Sequence, residues 1–164
     1  MIPFKIFISH TNGPDDMTIV RTLASNLQMA GVTVYIAEDN RQPGNYLADK
    51  IKQNILSSDW VIGLWTQDAS KSAYVNQEIG FAEDRKPCAL LVQKGVQVKG
   101  FPEGREFILF DPTDPLLGLE QMEEHIKKKK FQKEEDAVAA NTFLAIIMFI
   151  VALLLITSLL SKGK

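Results

Sequence analysis

Short apolar runs alternate with segments of helical spacing along residues 1–111. The apolar runs predict five strands, and the segments between the first four predict helices. The predicted strands are Phe4–Ile8, Val32–Ile36, Trp60–Trp65, Pro87–Val92 and Glu106–Phe110. The first three runs alternate little, as expected of strands that are buried on both faces. Because strands joined by helices need crossover connections, we expect an α/β fold with a parallel sheet and helices on both faces.

Three helices are predicted between these strands. The first has apolar residues at helical spacing from Val20 to Leu27, and Asp15 or Asp16 is its predicted N-cap. The second is marked by Leu47–Ile55, and the third is predicted from Ser70 to Asp84. Open parallel sheets bind ligands in the crevice at the carboxyl ends of their strands. A functional site is therefore expected in the loops after the first three strands.

The C-terminal part of the chain has a different pattern. Phe143–Leu160 is 18 residues long and carries no charge. As a helix it would be about 27 Å long, which is close to the thickness of a bilayer core. The alternative is a buried core helix, but a core helix of this length would normally show a polar stripe. We predict a transmembrane helix at 142–160, a charged helical stalk at 116–141 and a short tail at 161–164.

The charges that flank this segment predict its orientation. Five lysines, Lys127–Lys130 and Lys133, precede it, and only Lys162 and Lys164 follow it. Since cytoplasmic flanks carry the excess of lysine, we expect a single-pass protein with a C-terminal anchor and a cytoplasmic N-terminal domain. With only four residues after the helix, the chain is expected to insert as tail-anchored proteins do. The single cysteine, Cys88, fits a reducing compartment.

The stalk leaves two interpretations open. Opposite charges at helical spacing, Glu123 with Lys127 and Glu124 with Lys128, are typical of a solvated helix. The lysines would alternatively form a basic collar that binds anionic lipid, at about 1 kcal/mol per lysine. The acidic run Glu134–Asp136 lies closer to the membrane and should weaken that attraction. The net charge of −2 gives no reason to expect nucleic acid as a partner.

Glu78 does not fit its surroundings in the third predicted helix. On a helical wheel it lies at about 40° from Tyr74, in the middle of an apolar arc formed by Tyr74, Val75, Ile79, Phe81 and Ala82. A carboxylate there should be partly desolvated, which costs free energy unless the group is paired or functional. The wheel leaves two alternatives open: a buried glutamate satisfied by a helix N-terminus or a lysine, or a functional carboxylate.

Three motifs follow one another along the chain: Lys5–His10 with Asp15 or Asp16, Gly31–Ile36 followed by Asp39 and Pro43-Gly44, and Ser72–Glu78. They resemble the opening strand, the second strand with its BB loop, and the serine–aromatic–glutamate helix motif of TIR (Toll/interleukin-1 receptor) domains, especially prokaryotic ones. The family usually has Trp where Tyr74 stands and often Cys where Val75 stands. The resemblance implies a TIR domain at 1–115 with a flavodoxin-like, five-stranded parallel sheet.

The resemblance also implies an activity. Many TIR domains cleave the nicotinamide–ribose bond of NAD⁺, and their essential glutamate corresponds to Glu78. Glycoside hydrolysis ordinarily needs a second carboxyl group to protonate the leaving oxygen. Nicotinamide leaves NAD⁺ as a neutral molecule, so one carboxylate that stabilises the oxocarbenium-like transition state can suffice. NAD⁺ is then the substrate, and no cofactor is expected. Two histidines and one cysteine, well separated, make a metal site improbable.

Further substrate-binding candidates come from the loops that the motifs identify. Ser9, His10, Thr11 and Asn12 are candidates for contact with the phosphates, although His10 could be a simple loop residue. Ser72 and Tyr74 of the helix motif are also candidates, and Tyr74 would form the pocket wall. Trp65 either stacks on a ring of the substrate or is a core aromatic. Asp39, Arg41 and the BB loop are candidates for the rim of the site or for contact with another TIR domain.

The leading hypothesis is a membrane-anchored NAD⁺ glycohydrolase or cyclase, which by family analogy acts in prokaryotic immune or stress signalling. Its expected partners are NAD⁺, other TIR domains in a homo-oligomer, and membrane lipid. The first alternative is a non-catalytic TIR module that acts by homotypic contacts, but the intact helix motif favours the enzyme. The second alternative is a nucleoside deoxyribosyltransferase-like enzyme, which the Pro43-Gly44 loop and the anchor argue against.

Overall fold

The computed structural model describes residues 3–37, 45–100 and 106–162. Its strands and helices follow one another in the predicted order. The elements are β1 (Phe4–Ser9), α1 (Pro14–Met29), β2 (Val32–Ile36), α2 (Asn45–Ser57), β3 (Trp60–Trp65), α3 (Ala73–Glu83), β4 (Cys88–Gln93), β5 (Phe107–Phe110) and α4 (Leu116–Lys162). The strand predictions agree with these bounds to within one residue at each end.

The five strands form one parallel sheet in the order β2-β1-β3-β4-β5. The central strand pairs place Ile8 opposite both Ile36 and Ile62, and Ser9 opposite Gly63. β1 lies inside the sheet, between β2 and β3. The strands that follow it along the chain are added first on one side of β1 and then on the other. This arrangement confirms the predicted flavodoxin-like fold, and it places the end of β1 at the point where such sheets bind ligands.

Apolar side chains cover both faces of the sheet. On one face Phe4, Ile6 and Ile8 pack with buried residues of α1 and α4, among them Leu27 and Met122. On the other face two smaller clusters join the strands to α2 and α3. Their buried members are Phe7, Ala37, Ile55, Val61 and Ala82 in one, and Trp65, Ala69, Val75, Ile79, Leu90 and Val92 in the other. Ser9 follows Phe7 by two residues, so strand alternation directs its side chain toward α3.

The start of α1 differs from the prediction. Pro14 is the first helical residue, Gly13 is the N-cap, and no side chain caps the helix. The predicted capping role of Asp15 or Asp16 is therefore wrong. Asp15 lies exposed in the first turn, whereas Asp16 is buried and directed into the protein. Proline is favoured at this position because the N–H that it lacks would have no partner within the helix.

The single helix predicted from Ser70 to Asp84 is divided. A 3-10 turn at Ala69–Lys71 comes first, and Ser72 then adopts an extended conformation before α3 begins. The Ser72 hydroxyl accepts a hydrogen bond from the backbone N–H of Val75 at 3.3 Å. Ser72 is thus the N-cap of α3, and a capping serine is non-helical by nature.

The first three turns of α4 belong to the core of the sheet domain. Leu119, Met122 and Ile126 are buried in the main cluster. Gly118 allows close approach, because a Cβ there would lie 2.4 Å from the Cβ of Phe110. His125 also contacts the sheet, with its ring edge-on to Trp60 at 5.7 Å between centroids. The compact unit therefore extends to Lys127, beyond the predicted limit at residue 115.

The residues of α4 from Lys128 onward form a second unit. From Phe143 to Leu155, the large apolar side chains of the predicted transmembrane segment are exposed. Mean hydropathy reaches 2.6 over 18 residues, and none of this window is buried in the protein. Helix α4 is thus long and apolar enough to cross a membrane. At the end of the first unit Lys127 lies 2.8 Å from the carboxylate of Glu123, as predicted, and 3.2 Å from that of Glu124.

Candidate functional site

A hydrogen bond joins the end of β1 to the middle of α3. The hydroxyl of Ser9 donates to Oε2 of Glu78 at 2.6 Å, across 69 positions of sequence. Ser9 is fully buried and Glu78 is half-buried. A short bond from a hydroxyl to a carboxylate is among the stronger hydrogen bonds in proteins. The carboxylate is therefore held in a defined place at the carboxyl end of the central strands.

The burial of α3 refines the environment predicted for Glu78. Val75, Ile79 and Ala82 are buried, whereas the side chain of Tyr74 is 70% exposed. The buried arc is thus narrower than predicted, and Glu78 lies at its edge rather than in its middle. One partner of the carboxylate is the serine hydroxyl of Ser9. Glu78 is therefore half-buried and keeps part of its surface exposed.

The loop after β1 contains three further predicted residues. His10 is buried, and its Nδ1 donates to the carbonyl of Thr11 at 2.6 Å, since a carbonyl can only accept. Its Nε2 has no hydrogen-bond partner within the described ranges. The hydroxyl of Thr11 donates to Asp16 and is engaged there, whereas Asn12 is exposed. Asn12 is thus the exposed residue of the three.

Trp65 and the Ser72 hydroxyl both have structural roles, and the predicted contact of Ser72 with substrate stays a prediction. Trp65 is 1% exposed within its core cluster, and its Nε1 donates to the carbonyl of Gln97 at 3.2 Å. Of the two alternatives for Trp65, the core aromatic is the one observed. The Ser72 hydroxyl is used to cap α3. Asp39, Arg41 and the rest of residues 38–44 lie outside the described residues, so their predicted roles stay predictions.

Sequence reasoning missed a buried network beside the site. Oδ2 of Asp16 accepts hydrogen bonds from the hydroxyl of Thr11 and, at 3.0 Å, from that of Thr66. Thr66 in turn accepts from the backbone N–H of Ala69 at 3.2 Å. The available signal was a threonine directly after a buried strand, at the edge where the site was expected. Nothing local linked that threonine to an acid 50 positions earlier.

A second carboxylate lies at the same edge of the sheet, after β5. Asp111 accepts from the hydroxyl of Thr113 at 2.7 Å and from its backbone N–H at 3.0 Å, and Lys94 lies 3.4 Å away. The bonds from Thr113, followed by that from Lys94, hold the pKa of Asp111 below its ordinary value of 3.8. Lys94 and Thr113 are exposed, and Asp111 is half-buried with 39% of its side chain exposed, so this turn lies at the surface.

Comparison with known proteins identifies the domain. A protein-family model described as TIR domain matches residues 6–117. A curated relative from Methanobrevibacter olleyae, "Probable 2′ cyclic ADP-D-ribose synthase TcpO", is 24% identical over 137 residues. The match covers 80% of this chain but only 36% of that relative, so the chain spans about a third of its length.

Two solved structures share the fold. The TIR domain of the Toll-related receptor TRR-2 from Hydra magnipapillata aligns with a TM-score of 0.54 and 19% identity, over 63% of this chain and 82% of that one. A 2-deoxyribosyltransferase from Bacillus psychrosaccharolyticus aligns with a TM-score of 0.55 and 16% identity, over 65% and 85%. At these identities the likeness concerns the fold alone.

Proposed function

The chain belongs to the TIR domain family, and we propose that it cleaves the nicotinamide–ribose bond of NAD⁺ by hydrolysis or cyclisation. One observation carries the proposal. The glutamate of the family's helix motif, Glu78, is half-buried and held by the buried hydroxyl of Ser9 at the carboxyl end of the sheet. The name of the archaeal relative, a probable cyclic ADP-ribose synthase, supports the same class of reaction.

The proposed chemistry needs one carboxylate. The bond between ribose C1′ and the pyridinium nitrogen breaks, and its electron pair neutralises the nicotinamide, so no proton donor is required. Positive charge develops on the ribosyl group, and the negative charge of Glu78 stabilises it. Water, or a nucleophilic atom of the same substrate in cyclisation, then bonds to C1′ and loses a proton. Ser9 keeps the carboxylate in place during these steps.

Other residues near Glu78 would bind the substrate. The exposed ring of Tyr74 lies one helical turn before Glu78 and offers a flat surface for the nicotinamide or adenine ring. His10 and Asn12 occupy the loop that directly follows Ser9, and we assign them to the phosphates. Asp39 and Arg41 complete the proposal as rim residues on the evidence of the family resemblance alone.

The test is product analysis with the full-length chain in detergent micelles. Incubation with NAD⁺ should release nicotinamide and an equal amount of ADP-ribose or a cyclic isomer, identified by mass spectrometry. Glu78→Gln should release neither product while keeping a normal melting curve. Glu83→Gln, the same change on the same helix, is the matched control and should behave as the wild type does. Unchanged NAD⁺ with folded, clustered wild-type protein would favour the non-catalytic TIR module instead.

The proposal includes a place for the domain in the cell. With α4 in the membrane and the lysines on its cytoplasmic side, the domain would face the cytosol in prokaryotic immune or stress signalling. Confinement to a membrane would raise the local concentration of domains and favour their association.

Carbonate extraction should leave the chain in the membrane pellet, and protease outside spheroplasts should spare the domain. Turnover should rise with protein density on liposomes. Digestion of the domain from outside would reverse the proposed orientation.

A further inference from the structure

Asp16 is the only carboxylate among the buried residues of the described ranges, with 5% of its surface exposed. Burying a charged carboxylate is costly unless hydrogen bonds replace its water. Here two threonine hydroxyls converge on one carboxylate oxygen: Thr11 from the loop after β1, and Thr66 from the loop after β3. The Asp16 carboxylate therefore ties together two loops that lie at the carboxyl edge of the sheet.

The direction of each hydrogen bond is fixed by chemistry. The carboxylate can only accept, so the proton of the Thr66 hydroxyl must point toward Asp16. The oxygen of that hydroxyl then accepts from the backbone N–H of Ala69 at 3.2 Å. A second bond, from the N–H of Ser70 to the carbonyl of Thr66 at 2.9 Å, holds the same turn. The network thus runs from α1 through the β3 loop into the turn that precedes α3.

The residues of this network lie close in sequence to the elements that carry Ser9 and Glu78. Ser9 lies two residues before Thr11, on the strand that enters the first loop. The turn after Thr66 leads directly to Ser72, whose N–H donates to the carbonyl of Ala69 at 3.0 Å and whose hydroxyl caps α3. Glu78 is on that helix. The position of the Asp16 carboxylate therefore sets where the β1 loop and the start of α3 lie relative to each other.

We propose that Asp16 is a positioning residue for Glu78. Its carboxylate holds the loop after Ser9 against the turn before α3, and this fixes the geometry of the bond between Ser9 and Glu78. Asp16 acts through these two residues and has no direct part in the chemistry. The inference deepens the proposed function and rests on it for its kinetic consequences. Its structural core, the tie between the two loops, can be tested without any activity.

The substitutions follow from what each side chain can accept. Asp16→Ala removes the acceptor for both hydroxyls. Asp16→Asn keeps a carbonyl oxygen that can accept from both, while it loses the charge and replaces Oδ1 with an NH2 group. Thr66→Val has nearly the same shape as threonine but breaks the link to Asp16 and to the N–H of Ala69. Asp15→Ala removes the same charge from the exposed neighbour and is the matched control.

The experiment measures NAD⁺ cleavage and amide hydrogen exchange on the full-length chain in micelles. Asp16→Ala and Thr66→Val should lower kcat by about 10- to 100-fold with little change in KM, because the carboxylate is displaced rather than removed. Asp16→Asn should restore kcat to within about threefold of the wild type, because the amide oxygen still accepts. The double variant Ser9→Ala/Asp16→Ala should lose less than the product of the two single losses, because both act on one pair.

Hydrogen exchange separates this proposal from the proposed function. Asp16→Ala and Thr66→Val should speed exchange at the amides of Ala69 and Val75, and Asp15→Ala should not. If the wild type does not cleave NAD⁺, the proposed function fails, and faster exchange at these two amides still upholds the tie. Unchanged exchange in Asp16→Ala would overturn it. Wild-type kcat in a folded Asp16→Ala or Thr66→Val variant, or strictly multiplicative losses with Ser9→Ala, would overturn the positioning role. If Asp16→Ala does not fold, Thr66→Val decides the question in the same two assays.

Discussion

Two hydroxyl–carboxylate bonds of nearly equal length lie at the same edge of the sheet. The bond from Ser9 to Glu78 is 2.6 Å long and joins a strand to a helix 69 positions away. The bond from Thr113 to Asp111 is 2.7 Å long and joins residues two positions apart in an exposed turn. The first bond is partly buried, because Ser9 has no exposed surface, and the second bond is exposed. Both bonds join a hydroxyl to a carboxylate, and they differ in where each carboxylate lies and in what else contacts it.

The carboxylates at the two ends of this edge are held in different ways. Water screens the charge of Asp111, whereas an electrostatic interaction is stronger where water is excluded. The bond to Thr113 is local and restrains only the turn, because it links residues of the same loop. The bond to Glu78 depends on the packing of α3 against the sheet, and it holds the carboxylate at the proposed site. The predictions below test this contrast.

The largest contrast is expected when each carboxylate becomes an amide. Glu78→Gln should lower kcat/KM for NAD⁺ by at least about 100- to 1,000-fold, because charge stabilisation of the transition state is lost. Asp111→Asn removes the same charge from the exposed turn and should leave the rate unchanged. Nicotinamide release by the two variants, measured side by side, checks this. Comparable losses in both would mean that burial does not distinguish the two carboxylates.

A smaller contrast is expected when each hydroxyl is removed. Ser9→Ala should lower kcat by about 10- to 100-fold, because Glu78 keeps its charge but is no longer held in place. Thr113→Ala removes the equivalent bond from the exposed turn and should change neither kcat nor KM. Steady-state kinetics on both variants provides the measurement. Wild-type kcat in Ser9→Ala would show that the carboxylate needs no support from β1.

Overpacking beside β5 should lower the stability of the protein without changing its activity. Gly118→Ala places a Cβ too close to Phe110 and should lower the free energy of unfolding by about 1–3 kcal/mol. The kcat of the remaining folded protein should not change, because Glu78 lies on the other face of the sheet. Glu120→Ala is the control for stability, because it changes an exposed side chain on the same helix and adds no atom to the core. Thermal melts and activity at low temperature separate the two effects. A fall in kcat with normal stability would contradict this division.

The smallest effect concerns pH. The pKa of Asp111 is lowered in the folded protein by Thr113 and Lys94. A group with a lowered folded pKa stabilises the protein above its unfolded pKa, and this contribution is lost as pH falls through the folded value. The small difference in Tm between wild type and Asp111→Asn should therefore be constant at neutral pH and vanish below the ordinary value of 3.8. A difference that grows as pH falls would contradict the assignment.

The fold was predictable because each strand has an unmistakable pattern. Strands such as β3 are buried on both faces and appear in the sequence as continuous apolar runs. The wheel for α3 was less accurate, because it counted Tyr74 as apolar although its ring is exposed. The first turns of α4 were assigned to a stalk on account of their charges. The spacing of Leu119, Met122 and Ile126 nevertheless carries the stripe of a packed helix.

The site was predictable only in part. The unusual position of Glu78 identified the carboxylate, but its partner Ser9 is set by how α3 packs on β1, which no local pattern contains. Asp16 shows the same limit more clearly. An acid at the start of a helix locally favours an N-cap, and that prediction was wrong because a hydroxyl 50 positions away competes for the same carboxylate. Contacts between distant segments decided both cases.

The contact between Trp60 and His125 gives the protein a built-in optical probe. The chain has two tryptophans: Trp65 is enclosed in the core, and Trp60 at the start of β3 faces the imidazole on α4. Indole emission depends on the groups that touch the ring. Light emitted by Trp60 in a Trp65→Phe variant should therefore report whether the first turns of α4 are seated on the sheet, in micelles or in a lipid bilayer, without any added dye.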